Sequence, residues 1–423
     1  MTATVPQFST ARTEFAGQSI KELASRFGTP LYVYDRESID RRIADLAAFD
    51  VIRYAQKASS NLAILDRMRQ KKVVVDAVSA GEIRRALAAG YRSGPHHDIV
   101  YTADIFDREA LDLVIEHHLH VNCGSPEMIS QLGERRPGSE VTLRINPGFG
   151  HGHSQKTNTG GEQSKHGIWH SQIHDCLLRA DKSGVTVTGL HMHIGSGTDL
   201  EHLSEVCAAM EKAALEVGRT VKTISAGGGL PVPYKNDETY VDLEKYFALW
   251  DASRNRLSEA FGHPVSLEIE PGRFLSAESG SLIAEVRSVK KVGDNLFVLL
   301  DAGFNDLARP VMYGAYHPIS VCAAKGDASG REEIPTVVGG PLCESGDIFT
   351  QREGGYVDSR LLPAVSVGDF VVLENAGAYG FVMSSNYNSK TRAAEVLIED
   401  GEAKLVRERE TFEDLIRGER IPD

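Results

Sequence analysis

Cysteine is scarce and scattered. The five, Cys123, Cys176, Cys207, Cys322 and Cys343, form no CxxC pair, and their number is odd. That argues against a disulfide framework and for a reducing cytosol. Basic charge is also short: 46 Lys and Arg stand against 59 Asp and Glu, a net charge of −13. A surface of that sign argues against nucleic acid or an anionic membrane as the main partner. It leaves room for an anionic ligand in a locally basic site. No uninterrupted apolar run reaches the roughly 18 residues of a membrane span. The opening MTATVPQFSTARTEF lacks the apolar core of a signal peptide, so a cytoplasmic location is expected. Low-complexity tracts and short-period repeats are missing as well.

What is present is a chain of 423 residues, enough for two domains. From Val51 onward, short apolar runs alternate with longer segments of helical spacing. The runs are VIRYAQK, VVVDAV, DIVYTA, HVNCGS, VTLRINP, VTGLHMHIGS, TISAGGG and VSLEIEPG. They are rich in Val and Ile, as strands of a parallel sheet are. AGEIRRALAAGY and LSEVCAAMEKAALEVG are typical of the segments between them. Eight such units over about 230 residues fit a (β/α)8 barrel. A doubly wound open sheet is the structural alternative, but no GxGxxG follows the first strand. After Ser281 the pattern changes to strands separated by turns, including NLFVLLDAG, DFVVLENAG and AAEVLIEDGEAKLV. The expected division is an N-terminal segment, 1–30, packing with the β domain, a barrel over 31–280, and a β-rich domain over 281–423. PLYVYD at 30–35 could join either domain.

The stretch YAQKASSN ends its strand on a lysine, Lys57, followed by small polar residues. An isolated strand-end lysine is ordinarily a solvated side chain. In a barrel, however, chemistry sits at the carboxyl ends of the strands. Those ends here carry Lys57, Ser79, Asn122, Arg144 with Asn146, His193 with Ser196, Gly227 to Gly229, and Glu270 with Arg273. AGGGLPVPY lets backbone N–H groups come close to a phosphate. EPGRF adds a second glycine turn at Gly272 beside Arg273, a fork suited to phosphate oxygens. Ser196 in HIGSG can add a hydroxyl. A lysine amine, a phosphate clamp, a carboxylate and a flat histidine together suit pyridoxal phosphate.

The histidines offer a rival reading. HGH at 151–153 and HMH at 191–193 have the spacing of a metal-binding pair, since residues i and i+2 share a strand face. Metal-dependent barrel hydrolases place that pair on the first strand, whereas this one falls on the sixth, and HGH lies in a glycine-rich loop. The reading adopted has no metal.

The motifs YAQKASSN, DAVSAGEI, RINPGFGHGHSQKTNTGGEQSKHGIW, HMHIGSGTD, AGGGLPVPY, EIEPGRF, DAGFNDLARPVMYGAYH, GPLCESGD and GAYGFVMSSNYN run in order from residue 54 to 388. As a set they resemble the diaminopimelate decarboxylase family, within the alanine racemase-like, fold-type III pyridoxal-phosphate decarboxylases. QKASSN stands where KANSN is commoner and SKHG where many members have SKFG; neither change removes a group the chemistry needs. The resemblance implies a barrel with a β domain, and a homodimer whose sites lie at the subunit interface. It implies that Lys57 holds the cofactor through a Schiff base and that His193 stacks on it. Ser196, Gly228, Gly229, Gly272 and Arg273 would hold the cofactor with its phosphate, and Glu270 would pair with its ring nitrogen. Tyr379 would contact cofactor and substrate. Arg273, Arg309, Tyr313 and Glu344 resemble the substrate set. Cys343 and Glu344 would come from the opposite subunit, with Cys343 as the proton donor.

By that resemblance the reaction is loss of CO2 from meso-2,6-diaminopimelate to give L-lysine. A decarboxylase of another basic amino acid, of the ornithine or siderophore-precursor type, should lack the Arg309 and Tyr313 pair. A racemase needs a second acid/base group on the opposite face. A non-catalytic regulator would be expected to lose Lys57 or Cys343, and the chain keeps both. The loop HGHSQKTNTGGEQSKHG, with Gly152, Gly160, Gly161 and Gly167, has the length and glycine content of a lid.

Overall fold

In the computed structural model, residues 7–94, 98–150, 160–193 and 200–422 are described. The chain divides into two compact units, one of residues 41–231 and 241–275, the other of residues 1–40, 232–240 and 276–423.

The first unit is a closed barrel of eight parallel strands: β1 (Val51–Ala55), β2 (Val74–Ala77), β3 (Ile99–Ala103), β4 (His120–Cys123), β5 (Glu140–Asn146), β6 (Thr186–His191), β7 (Thr223–Ser225) and β8 (Ser266–Ile269). Each pairs with the next, β8 returns to β1 and β6 pairs directly with β5, so no edge is left. That closure excludes the open sheet. Helices fill the connections. Ala80–Ala88 shows why such a segment coils: Ser79 caps it by accepting the Glu82 N–H, and Ala80, Ile83 and Ala86 form its buried stripe.

These Val- and Ile-rich strands are not wholly apolar. Arg53, His120, Asn122, Thr142, Thr188, Ser225 and Glu268 line a small cavity among the barrel strands. Arg53 is 2% exposed and its guanidinium meets the Glu268 carboxylate at 3.1 Å. A buried charge needs such a partner, because desolvation costs several kcal/mol per ion. At the level of β5 to β8 the register sets Arg144, His191, Ser225 and Glu268 side by side. This polar layer lies at the carboxyl ends of the strands.

The second unit is mostly sheet. Its long strand, Gly280–Val292, pairs with Leu31–Asp35, Asn295–Leu300 and Phe370–Leu373. Leu31–Asp35 lies between Gly280–Val292 and Ala394–Glu399, with Leu31, Tyr32, Val33 and Tyr34 buried. Leu31, Val33, Ile283, Val372 and Val396 share one core with Phe15, Ile20 and Leu23 from the N-terminal segment. The division at residues 31 and 280 is therefore corrected: pairing on both edges holds Leu31–Asp35 in this sheet. Residues 232–240 also belong here, where Asn375 Nδ2 donates to the Pro233 carbonyl at 2.9 Å.

Candidate active site

At the mouth of the barrel, Lys57 follows β1 in a single turn of 3-10 helix, Gln56–Ala58, and is exposed while Gln56 and Ala58 are buried. Its charge acts on Asp76, Glu82 and His193. Glu270 follows β8 and is 5% exposed. Its Oε2 accepts from His191 Nε2 at 2.7 Å, and its Oε1 accepts from Asn122 Nδ2 and Ser225 Oγ, each at 3.4 Å. Burial alone would raise its pKa, but His191, Arg53 and Arg144 outweigh it and hold the carboxyl below its ordinary range. Asp76 goes the other way: burial first, then the charge of Glu270, raises it. Of these two buried carboxyls, Glu270 is the one kept ionised.

His193 is fixed by Gly228, whose N–H donates to Nδ1 at 2.8 Å. Burial, with Arg144 and Lys57 next, holds the ring well below its usual pKa, so it is neutral. Gly228 must be glycine: a Cβ would lie 2.5 Å from the Glu270 carbonyl and 3.0 Å from the His193 ring. Gly227 adopts φ +64°, and a Cβ there would lie 2.3 Å from the Met192 carbonyl. Gly229 also has positive φ, +98°. Gly272 runs past Ala55 and Ala58, either side of Lys57, and Arg273 starts the helix Arg273–Ser276. Ser196, and His151 and His153 of HGH, lie outside the described residues.

These residues fit pyridoxal phosphate. An ionised carboxylate with one loosely engaged oxygen suits a ring nitrogen that carries hydrogen. The tightly turned glycines and neutral His193 form a cradle that any side chain at Gly228 would fill. The HMH pair does not converge: His191 engages Glu270 and His193 engages Gly228. Among the described residues, no group of three or more His, Cys, Asp or Glu is placed to hold a metal ion.

Several neighbours carried no assigned role in the sequence reading. Arg144 is 9% exposed and acts on Glu270 and His193. Glu82 is turned back by its bond from the Val78 N–H, 2.8 Å. Asn146 ties the ends of the following loop, accepting the Gly148 and Gly161 N–H groups on Oδ1 and donating to the Gly161 and His166 carbonyls. His166, the variant residue of SKHG, donates from Nδ1 to Asp104 at 2.7 Å. The lid reading falls largely on residues 151–159, outside the described residues. DAVSAGEI, HMH and SKHG carried the signal for Asp76, Glu82, His191 and His166; the partners of His191 and His166, Glu270 and Asp104, lie far away along the chain.

In the β unit, Arg309 and Tyr313 sit four residues apart on the short helix Arg309–Tyr313, hence on one face. Arg309 is 7% exposed; its Nη1 contacts Tyr234 Oη at 3.2 Å and His317 Nε2 at 2.9 Å, and its guanidinium lies over the Tyr234 ring. Cys343 is exposed, whereas the other four cysteines are buried. Its backbone N–H donates to Asn388 Oδ1 at 2.8 Å, and Asp347 binds the Leu342 N–H at 2.8 Å. Cys343 and the exposed Glu344 thus ride on a loop fastened on both sides. Tyr379 has φ +57°, a backbone region that bulky side chains rarely occupy outside functional sites.

Comparison with known proteins agrees with this geometry. The pyridoxal binding domain of the pyridoxal-dependent decarboxylases matches residues 37–277. Diaminopimelate decarboxylase of Escherichia coli K12 is 54% identical over 406 residues, 96% of this chain and 97% of that protein. A crystal structure of diaminopimelate decarboxylase, also 54% identical, superposes with a TM-score of 0.92 over 95% of this chain and 96% of the other. The M. jannaschii diaminopimelate decarboxylase, solved in co-complex with L-lysine, is 29% identical with a TM-score of 0.87, covering 98% of each chain.

Proposed function

We propose that this chain, which belongs to the diaminopimelate decarboxylase family of pyridoxal-dependent enzymes, uses Lys57, Glu270 and Cys343 to remove CO2 from meso-2,6-diaminopimelate and release L-lysine. It is a carboxy-lyase of lysine biosynthesis. The observation that carries the assignment of residues is the buried, ionised Glu270 at the barrel mouth, framed by Gly228 and neutral His193.

When bound, pyridoxal phosphate supplies an electron sink for the pair left as the carboxylate departs. The residues do the rest. Lys57 would hold the cofactor through its amine. Glu270, kept ionised, would accept a hydrogen bond from the ring N–H. His193 would lie against the ring without adding charge. Gly228, Gly229, Gly272 and Arg273 would receive the phosphate, with Ser196 joining them by motif. Cys343 gives the proton of its Sγ to the substrate Cα after CO2 has gone. Arg309 and Tyr313 take the distal carboxylate, Glu344 takes the distal ammonium, and Arg273 and Tyr379 complete the substrate contacts.

The working form in this reading is a homodimer in the cytoplasm, with Cys343 and Glu344 delivered to the partner's Lys57. In the described residues no helix is long and apolar enough to cross a membrane. The test is the product: incubation with meso-diaminopimelate in deuterium oxide, followed by chiral analysis, should give one equivalent of CO2 and L-lysine with one deuterium at the carbon that lost it. D-lysine, or turnover of ornithine in preference, would overturn the reading.

A further inference from the structure

We propose that His191 is a positioning residue for the reaction: it occupies Oε2 of Glu270, so that Oε1 is the oxygen presented to the cofactor ring nitrogen. The inference rests on the reading of Glu270 given above and adds to it.

The two carboxylate oxygens are not equivalent. Oε2 lies 2.7 Å from His191 Nε2, the length of a strong charge-assisted bond. Oε1 has two donors, Asn122 Nδ2 and Ser225 Oγ, both at 3.4 Å and past the usual range for such bonds. Oε1 is therefore held in direction but keeps its capacity for one short bond from an N–H.

The histidine is committed to this task. It is 1% exposed, and its Nδ1 has no partner among the described residues. A hydrogen on Nδ1 would be a buried, unpaired donor, which is rarer and costlier than an unused lone pair. The ring hydrogen thus belongs on Nε2, pointing at Glu270. The strand register sets His191 between Arg144 on β5 and Ser225 on β7.

The experiment uses holoenzyme reconstituted with pyridoxal phosphate labelled with 15N at the ring nitrogen, whose NMR shift reports whether that nitrogen carries hydrogen. In His191→Leu the signal should move toward the unprotonated position. Its kcat should fall roughly 10- to 100-fold, as expected on losing a hydrogen bond to a charged group, with KM for meso-diaminopimelate nearly unchanged. His191→Gln can place its amide near the position of Nε2 and should restore both the shift and most of kcat. His191→Asn, too short to reach Oε2, should behave like His191→Leu and replaces it if the leucine variant does not fold. A folded His191→Leu or His191→Asn enzyme with the wild-type 15N shift would overturn the proposal. Glu270→Gln is the separate control: if its shift also matches wild type, the Glu270 reading itself fails.

Discussion

Arg309 and His317 meet at 2.9 Å between Nη1 and Nε2. A guanidinium only donates, so His317 Nε2 accepts and its Nδ1–H donates to the Glu374 carbonyl, 2.9 Å away. His317 thereby fixes the direction of Arg309. Arg309→Ala should mainly weaken discrimination for a distal carboxylate, because a site built on a buried polar contact rejects ligands that leave it unpaired. The loss in kcat/KM for meso-diaminopimelate should exceed that for lysine-like analogues without the group by roughly 100-fold. Equal losses would make Arg309 structural.

Lys57 is exposed at the barrel mouth, and its charge reaches His193. The purified holoenzyme should be yellow. Borohydride reduction and peptide mapping should place the cofactor on Lys57. A label on another lysine, or bound zinc without pyridoxal phosphate, would reject the assignment.

Asp104 accepts from His166 Nδ1 at 2.7 Å and from the Gly167 N–H at 2.9 Å. Burial opposes its ionisation, but His166, Gly167 and Arg144 outweigh it and hold the carboxyl below its usual range. A carboxylate with a lowered folded pKa adds stability above its unfolded value, and that stability is lost as pH falls through the folded one. Asp104→Asn should cost about 1 kcal/mol at pH 7, the partly exposed pair being discounted for solvent. The difference should close as pH falls from the ordinary aspartate value of about 3.9 through the lowered folded one. Urea melts carried from neutral pH down to well below that value measure it, and a gap constant across the whole range would show that the charge of Asp104 is irrelevant.

Most of the barrel is legible in the sequence because its strands are Val- and Ile-rich runs set off by helical spacing. Its polar lining is less so, since Arg53 and Glu268 acquire meaning only when ring closure pairs β1 with β8. The glycines near Lys57 are readable as motif, but the sequence does not say that a side chain at 228 would strike Glu270 and His193. HMH reads as a possible chelate until contacts 79 and 35 residues away separate the two rings. Residues 232–240 interrupt the barrel without any change of composition; what assigns them is contact with Asn375 and Arg309.

Cys343 is the one exposed cysteine, on a loop fastened by Asn388 and Asp347, whereas Lys57 belongs to the barrel unit. If each site joins Lys57 of one subunit to Cys343 of the other, two dead enzymes can rescue each other. Lys57→Ala and Cys343→Ala homodimers should each be nearly inactive. In a mixed dimer, one site carries both lesions and the other carries none. Random 1:1 reassortment makes half the dimers mixed, with one of two sites intact, so about a quarter of wild-type activity should return. Subunit exchange is checked by native mass spectrometry of differently tagged chains. Mixed dimers with no recovered activity would mean that Cys343 serves its own subunit, or that the site does not need both residues in these roles.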